Sequence, residues 1–132
     1  MAVVDASVAI RWVVHGPGAE RAAPWLKELT LTAPDLILAE AGNALWRYSR
    51  AGALQMEEAA SILQRMPDCF ARLVPAAELA ADALRLAHEL EHPVSECLYL
   101  ALAQREGLGL LTLDAKLAAL AVRKGLRAEL LL

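Results

Sequence analysis

The stretch Ala2-Val3-Val4-Asp5-Ala6-Ser7-Val8-Ala9-Ile10-Arg11-Trp12 decides the fold. A short apolar, β-branched run stops at a carboxylate and passes at once into helical spacing, which reads as strand, acid, helix. The same grammar returns near the other end of the chain: Leu108 to Leu113 is a buried strand closed by Asp114, and a helix follows over Ala115 to Lys124 until Gly125 stops it. Between these two units, Gly16-Pro17-Gly18 breaks the first helix and the spacing of Ala22, Trp25, Leu26 and Leu29 predicts a second over 19–29. Leu31 to Ala33 reads as a strand closed by Pro34. The helix from Asp35 to Arg50 sets Leu38, Ala41, Leu45 and Tyr48 on one side and Glu40, Asn43 and Arg47 on the other. After Gly52 the pattern predicts a helix over 56–66, a strand over 70–74 and a strongly amphipathic helix over 76–91. Ser95 then caps a helix whose run Cys97 to Ala103 is apolar all round, and a last strand covers 126–132. Short apolar strands alternating with helices define an α/β fold around a mostly parallel sheet with right-handed crossovers, with five strands and about seven helices. In such sheets ligands collect beyond the carboxyl ends of the strands, where the strand order reverses.

Composition agrees and narrows the function. The chain has 132 residues, 58% hydrophobic and 22% charged, which places it in one domain over 1–132 and excludes a disordered chain. Aromatic residues at 5% argue against an all-β sandwich or barrel. A formal charge of −3 excludes nucleic-acid binding through a general basic field, so any such contact is local. Cys69 and Cys97 read as separate buried thiols, and no apolar run approaches the roughly 20 residues that span a bilayer; a soluble, cytoplasmic protein is expected.

The acids carry the chemistry. Asp5 and Asp114 close two strands, Glu96 opens the helix before the second of these, and Glu40 lies on the helix entered after the strand at 31–33. Ionised carboxylates share a small space only when a cation offsets their repulsion, and an oxygen-only donor set suits Mg²⁺ or Mn²⁺. A cation so held activates water and offsets charge on a phosphoryl oxygen, which points to phosphodiester hydrolysis. Each acid has a plainer reading: Asp5 and Asp114 stand where carboxylates cap helices, Glu96 lies in a first helical turn where the helix dipole favours negative charge, and Glu40 fits a solvated face. Ser7 and Thr112 adjoin the strand-end acids, as supports for a carboxylate or as local caps. His15, His88 and His92 read as surface residues, Trp12, Trp25 and Trp46 as core or interface anchors, and no glycine-rich phosphate loop is present.

Taken together, Val3 to Ala9, Ala33-Pro34 with Glu40 through Arg47, the run Glu96 to Ala103, and Leu111-Thr112-Leu113-Asp114 resemble the PIN-domain family, and within it the VapC-type toxins of toxin–antitoxin pairs. The resemblance implies a three-layer α/β/α fold with strand order 3-2-1-4-5 and a Mg²⁺- or Mn²⁺-dependent endoribonuclease. It makes Asp5, Glu40, Glu96 and Asp114 the catalytic acids, with Asp5, Glu96 and Asp114 as metal ligands and Ser7, Thr112 and Asn43 in support. Glu96 stands where the family usually has Asp, and its additional methylene moves the carboxylate. The resemblance also implies a homodimer and a cognate antitoxin whose tail enters the acidic site. Arg11, Arg47, Arg50 and Lys116 lie near the site residues in sequence and are candidates for RNA phosphate contact. The alternatives are a catalytically impaired RNA- or antitoxin-binding module on this fold and a different metal-dependent phosphohydrolase.

Overall fold

The structure is a computed structural model and describes residues 1–27 and 30–132. Its strands are β1 (Ala2–Val4), β2 (Leu31–Pro34), β3 (Arg72–Val74), β4 (Gly109–Thr112) and β5 (Ala128–Leu130). They form a sheet in the order β3-β2-β1-β4-β5 in which every pairing is parallel. Val3 and Val4 are fully buried, as parallel strands covered on both faces must be. Ala2 lies opposite Leu31 on one side and Gly109 on the other, so β1 sits where the order turns.

The helices are α1 (Ala6–Arg11), α2 (Ala19–Ala22), α3 (Ile37–Arg50), α4 (Met56–Arg65), α5 (Ala76–Leu90), α6 (Val94–Glu106) and α7 (Ala115–Arg123). Right-handed crossovers put α1 to α4 over one face of the sheet and α5 to α7 over the other. The packing of α1 on α3, of α3 on α4 and of α5 on α6 agrees with that division. Every residue from Cys97 to Ala103 is buried, because α6 lies between α5 and strands β1, β2 and β4. Each fully enclosed leucine there contributes about 2 kcal/mol of hydrophobic stabilisation. Helix α6 ends at Glu106, three residues before β4 begins, so it runs against the strands and its first turn stands at their carboxyl ends.

Several local expectations change. The helix expected over 19–29 is an α-helix only to Ala22 and continues as a 3₁₀ turn over Ala23–Lys27; Pro24 has no N–H to carry an α-helical ladder, and residues 28–29 lie outside the described set. Helix α3 starts at Ile37 rather than Asp35, whose carboxylate instead accepts the Ala76 N–H at the start of α5. Ser95 is not a cap: α6 begins one residue earlier, with Pro93 at its N-cap and Ser95 inside the first turn. The last strand is shorter than 126–132, ending at Leu130. Both cysteines are free, Cys97 buried and Cys69 half-buried. Among the described residues no helix is long and apolar enough to cross a membrane.

Candidate active site

The carboxyl ends of β1 and β4 lie side by side and carry the two aspartates. Asp5 caps α1, its carboxylate accepting the Val8 N–H, and Asp114 caps α7 through Oδ1, which accepts from Lys116 N and Leu117 N. The capping reading of both acids is therefore correct, yet it does not use all their oxygens. Ser7 Oγ donates to Asp5 Oδ1 and Thr112 Oγ1 donates to Asp5 Oδ2, each at 2.5 Å. The same two hydroxyls accept the N–H groups of Leu113 (2.9 Å) and Asp114 (3.0 Å), which ties the end of β1 to the end of β4. Asp114 Oδ2 has no hydrogen-bond partner among the described residues.

Asp5 is only 6% exposed. Burial pushes its carboxyl up to about 6, the neighbouring Asp114 adds to the rise, and the bonds from Ser7, Thr112 and Val8 oppose it. No arginine, lysine or histidine pairs with Asp5, Glu40 or Asp114 among the described residues. Negative charge at this edge of the sheet thus lacks a protein counter-charge, a condition that a cation relieves.

The second half of the site comes from α3 and α6. Tyr99 O–H donates to Glu40 Oε1 at 2.5 Å, with the Ala6 backbone N–H near its oxygen. Burial, with Glu40 and Asp5 close by, holds the Tyr99 phenol well above its ordinary range, so it remains a donor. The Glu40 carboxyl is raised by burial and by the nearby Glu96, against the lowering effect of Tyr99. Sequence reasoning took Tyr99 for core alone. Its position three residues after Glu96, one turn along the same face of α6, is the signal that it belongs with the acids.

A cleft of about 280 Å³ opens between α1 and α3, lined by Ser7, Glu40, Asn43 and Arg47 with Ala6, Ile10 and Ala44. A larger cavity of about 520 Å³, lined by Ala2, Leu31, Gly109 and Arg127, lies at the amino ends of the strands, away from all four acids. The cations divide. Arg47 stands in the cleft; Arg50 lies farther along α3, its Cζ 4.9 Å over the Trp46 ring; Lys116 is exposed in the first turn of α7. Arg11 bonds the Val14 and His15 carbonyls, both at 3.3 Å, and so closes the end of α1.

One expectation is narrowed and one corrected. Of the tryptophans read as core or interface anchors, Trp12 and Trp25 pack on the core, whereas Trp46 is 47% exposed on the solvent side of α3. His92 is buried rather than on the surface, since the short turn from α5 to α6 folds it inward beside Glu96. His15 and His88 are exposed as expected.

The structure also tests the fit to a divalent cation. The donors are all oxygen, and among the described residues no cationic side chain pairs with Asp5, Glu40 or Asp114, which suits a hard cation. Among the described residues, however, no three His, Cys, Asp or Glu side chains are close enough together to hold a metal ion. That spread fits a cation such as Mg²⁺, which binds through one or two carboxylates and takes the rest of its shell from water and substrate phosphate.

Fold and site define a parallel α/β domain whose acids stand at the carboxyl ends of β1 and β4 and on the neighbouring helices α3 and α6, where the strand order turns. The model of the PIN domain family matches residues 2–123, and the chain belongs to that family. It is 37% identical over 121 residues to Ribonuclease VapC3 of Pyrobaculum aerophilum, an alignment covering 88% of this chain and 91% of the relative. Among solved structures, PAE2754 from Pyrobaculum aerophilum superposes with a TM-score of 0.74 at 29% identity, covering 96% of this chain and 82% of the other. FitAcB from Neisseria gonorrhoeae shares the fold at 19% identity, with a TM-score of 0.66 and coverage of 97% and 96%.

Proposed function

We propose that this chain is the ribonuclease toxin of a toxin–antitoxin pair, cleaving RNA phosphodiesters with the help of Mg²⁺ or Mn²⁺. The observation that carries the reading is the pairing of Asp5 and Asp114 across the ends of β1 and β4 with no protein counter-charge; the 37% identity to Ribonuclease VapC3 supports it. Asp5 and Asp114 would hold the cation, with the rest of its shell from water and substrate phosphate, and Glu96 would stand as the further acid beside them. When bound, it supplies a Lewis acid that makes water a better nucleophile and offsets charge on the phosphate. Ser7 and Thr112 keep both Asp5 oxygens in place, and the caps on α1 and α7 keep the two aspartates from turning away. Tyr99 orients Glu40, which faces the cleft and is the carboxylate available to take a proton from water. Asn43 and Arg47 line the approach, and Arg47, Arg50 and Lys116 contact phosphates along the RNA. Arg11, fixed on carbonyls, serves the fold of α1 first. The same reading includes a homodimer in the cytoplasm, a single domain over 1–132 and an antitoxin whose tail fills the acidic crevice.

The test is incubation of the purified chain, free of antitoxin, with single-stranded and structured RNA in Mg²⁺ or Mn²⁺, beside EDTA and Asp5→Ala controls. Cleavage lost in both controls is the expected result; cleavage that persists in either overturns the metal-dependent mechanism. A second reading, a binding module without turnover, is favoured by the lack of three clustered carboxylates among the described residues. RNA binding without cleavage in both metals would establish it.

A further inference from the structure

The geometry points to Trp46 as a stacking platform for an unpaired base of the RNA, an inference that rests on the ribonuclease reading above and narrows the form of RNA the site takes. Asn43, Trp46, Arg47 and Arg50 are all exposed, and their spacing of i, i+3, i+4 and i+7 makes them neighbours on one face of α3. Asn43 and Arg47 also line the cleft that holds Glu40, so the patch continues that cleft outward along the helix. The Arg50 guanidinium lies over the Trp46 ring, while the other two tryptophans pack on the core. Neither Arg47 nor Arg50 pairs with a carboxylate among the described residues. An indole kept in water beside two uncommitted guanidinium groups, in a chain of net charge −3, calls for a ligand that is both flat and anionic.

A single strand of RNA has both properties. Every base has a π-face that stacks on an aromatic ring, and every phosphate accepts from a guanidinium. Arg50 covers one face of the indole, and a base extends the stack from the other face or from the outer side of the guanidinium plane. Arg47, between the cleft and the platform, then meets a phosphate next to the stacked nucleotide. Trp46 stands six residues after Glu40, about 9 Å along the helix axis, so the stacked base flanks the reacting phosphate rather than carrying it. A paired base is held within its own stack and does not reach the ring, which makes the platform selective for unpaired RNA. A second copy of the chain is the competing occupant. Seated patch on patch, it would bring its own Arg47 and Arg50 against these, like charge on like.

The experiment is fluorescence anisotropy of a labelled single-stranded RNA, and of the same sequence as a full duplex, in EDTA. It compares wild type, Trp46→Ala, Trp46→Leu, Trp46→Phe and Arg47→Gln, with sedimentation and a thermal melt of each protein. Trp46→Ala and Trp46→Leu are expected to weaken single-strand binding about 5- to 150-fold and duplex binding by much less; Trp46→Phe, which keeps a ring, should retain most of the affinity. Arg47→Gln should reduce the salt slope of single-strand binding by about 0.7, a slope that the Trp46 variants share with wild type. If either Trp46→Ala or Trp46→Leu does not fold, the other carries the comparison. Wild-type affinity in a folded variant without the ring, or equal losses for single strand and duplex, overturns the stacking role. A loss that comes with a change in sedimentation assigns the patch to contact between copies and overturns it as well. A wild-type chain that binds no RNA in EDTA also overturns the inference, since ring and guanidinium need no metal; if it leaves RNA uncleaved in Mn²⁺ too, the ribonuclease reading falls with it.

Discussion

Replacing Asp5 by asparagine tests the electrostatic account of the site in a quantity that does not depend on catalysis. In the folded chain burial raises the Asp5 carboxyl from 3.8 to about 6. Between these values the folded state holds the proton more tightly than the unfolded chain, so wild-type stability falls as pH rises through the window. A shift of about 2 units corresponds to roughly 3 kcal/mol, of which about 2 kcal/mol is lost between about pH 4.5 and about pH 7.5. Asp5→Asn has the same shape and no charge, so it escapes this loss. It disturbs one of the bonds from Ser7 or Thr112, a cost of about 1 kcal/mol that is nearly independent of pH. The slope of the stability difference, rather than its level, therefore carries the test. Urea unfolding of both chains across that range, followed by circular dichroism without divalent metal, should show Asp5→Asn gaining on wild type by about 2 kcal/mol as pH rises. All other titrating groups are common to the two proteins and cancel. A difference that stays constant with pH, or that runs the other way, would refute the claim that Asp5 is a buried anion without a counter-charge. Saturating Mn²⁺ should flatten the slope, because a cation beside the carboxylate favours its ionised form.

Thr112→Val removes the donor to Asp5 Oδ2 and the acceptor for Asp114 N–H; it should cost about 1–3 kcal/mol at neutral pH and move the Asp5 titration, followed by carboxyl carbon NMR, to higher pH. Asp114→Ser keeps a helix cap without a carboxylate, so it should remain within about 0.5 kcal/mol of wild type while Asp114→Ala loses about 1 kcal/mol. Both should abolish RNA cleavage; a cleaving Asp114→Ser would show that the residue serves only as a cap. Tyr99→Phe removes the bond that lowers the Glu40 carboxyl, so the acid limb of the pH–rate profile should move upward, with a stability loss of about 1 kcal/mol in urea.

The acids at the strand ends were legible because parallel sheets bury their strands as unbroken apolar runs, and a charge ends such a run visibly. Asp5 after Val4 and Asp114 after the Leu108–Leu113 run stand out for that reason, and a capping role leaves the same mark as a catalytic one. Tyr99 was hidden inside the apolar run of α6, where an aromatic ring looks like core until a partner for its hydroxyl is known. His92 was hidden by its loop: a histidine beside proline and glutamate reads as surface, and only the left-handed turn at Glu91 folds it inward. Trp46 stood between two readings: helical spacing left it a core or an interface anchor, and only the packing of α3 showed that its side faces solvent.

By itself the order of residues determined the alternation of strands and helices, the two aspartate caps and the absence of a general basic field, because periodicity and capping act over a few residues. Only the tertiary structure decided which side chains meet. Glu40 and Tyr99 are 59 positions apart, and Asp5 and Thr112 are 107 apart. They come together because the order β3-β2-β1-β4-β5 sets β4 beside β1 and α6 across both. Bonds over such separations depend on the closure of the whole sheet, so no local pattern in the chain records them.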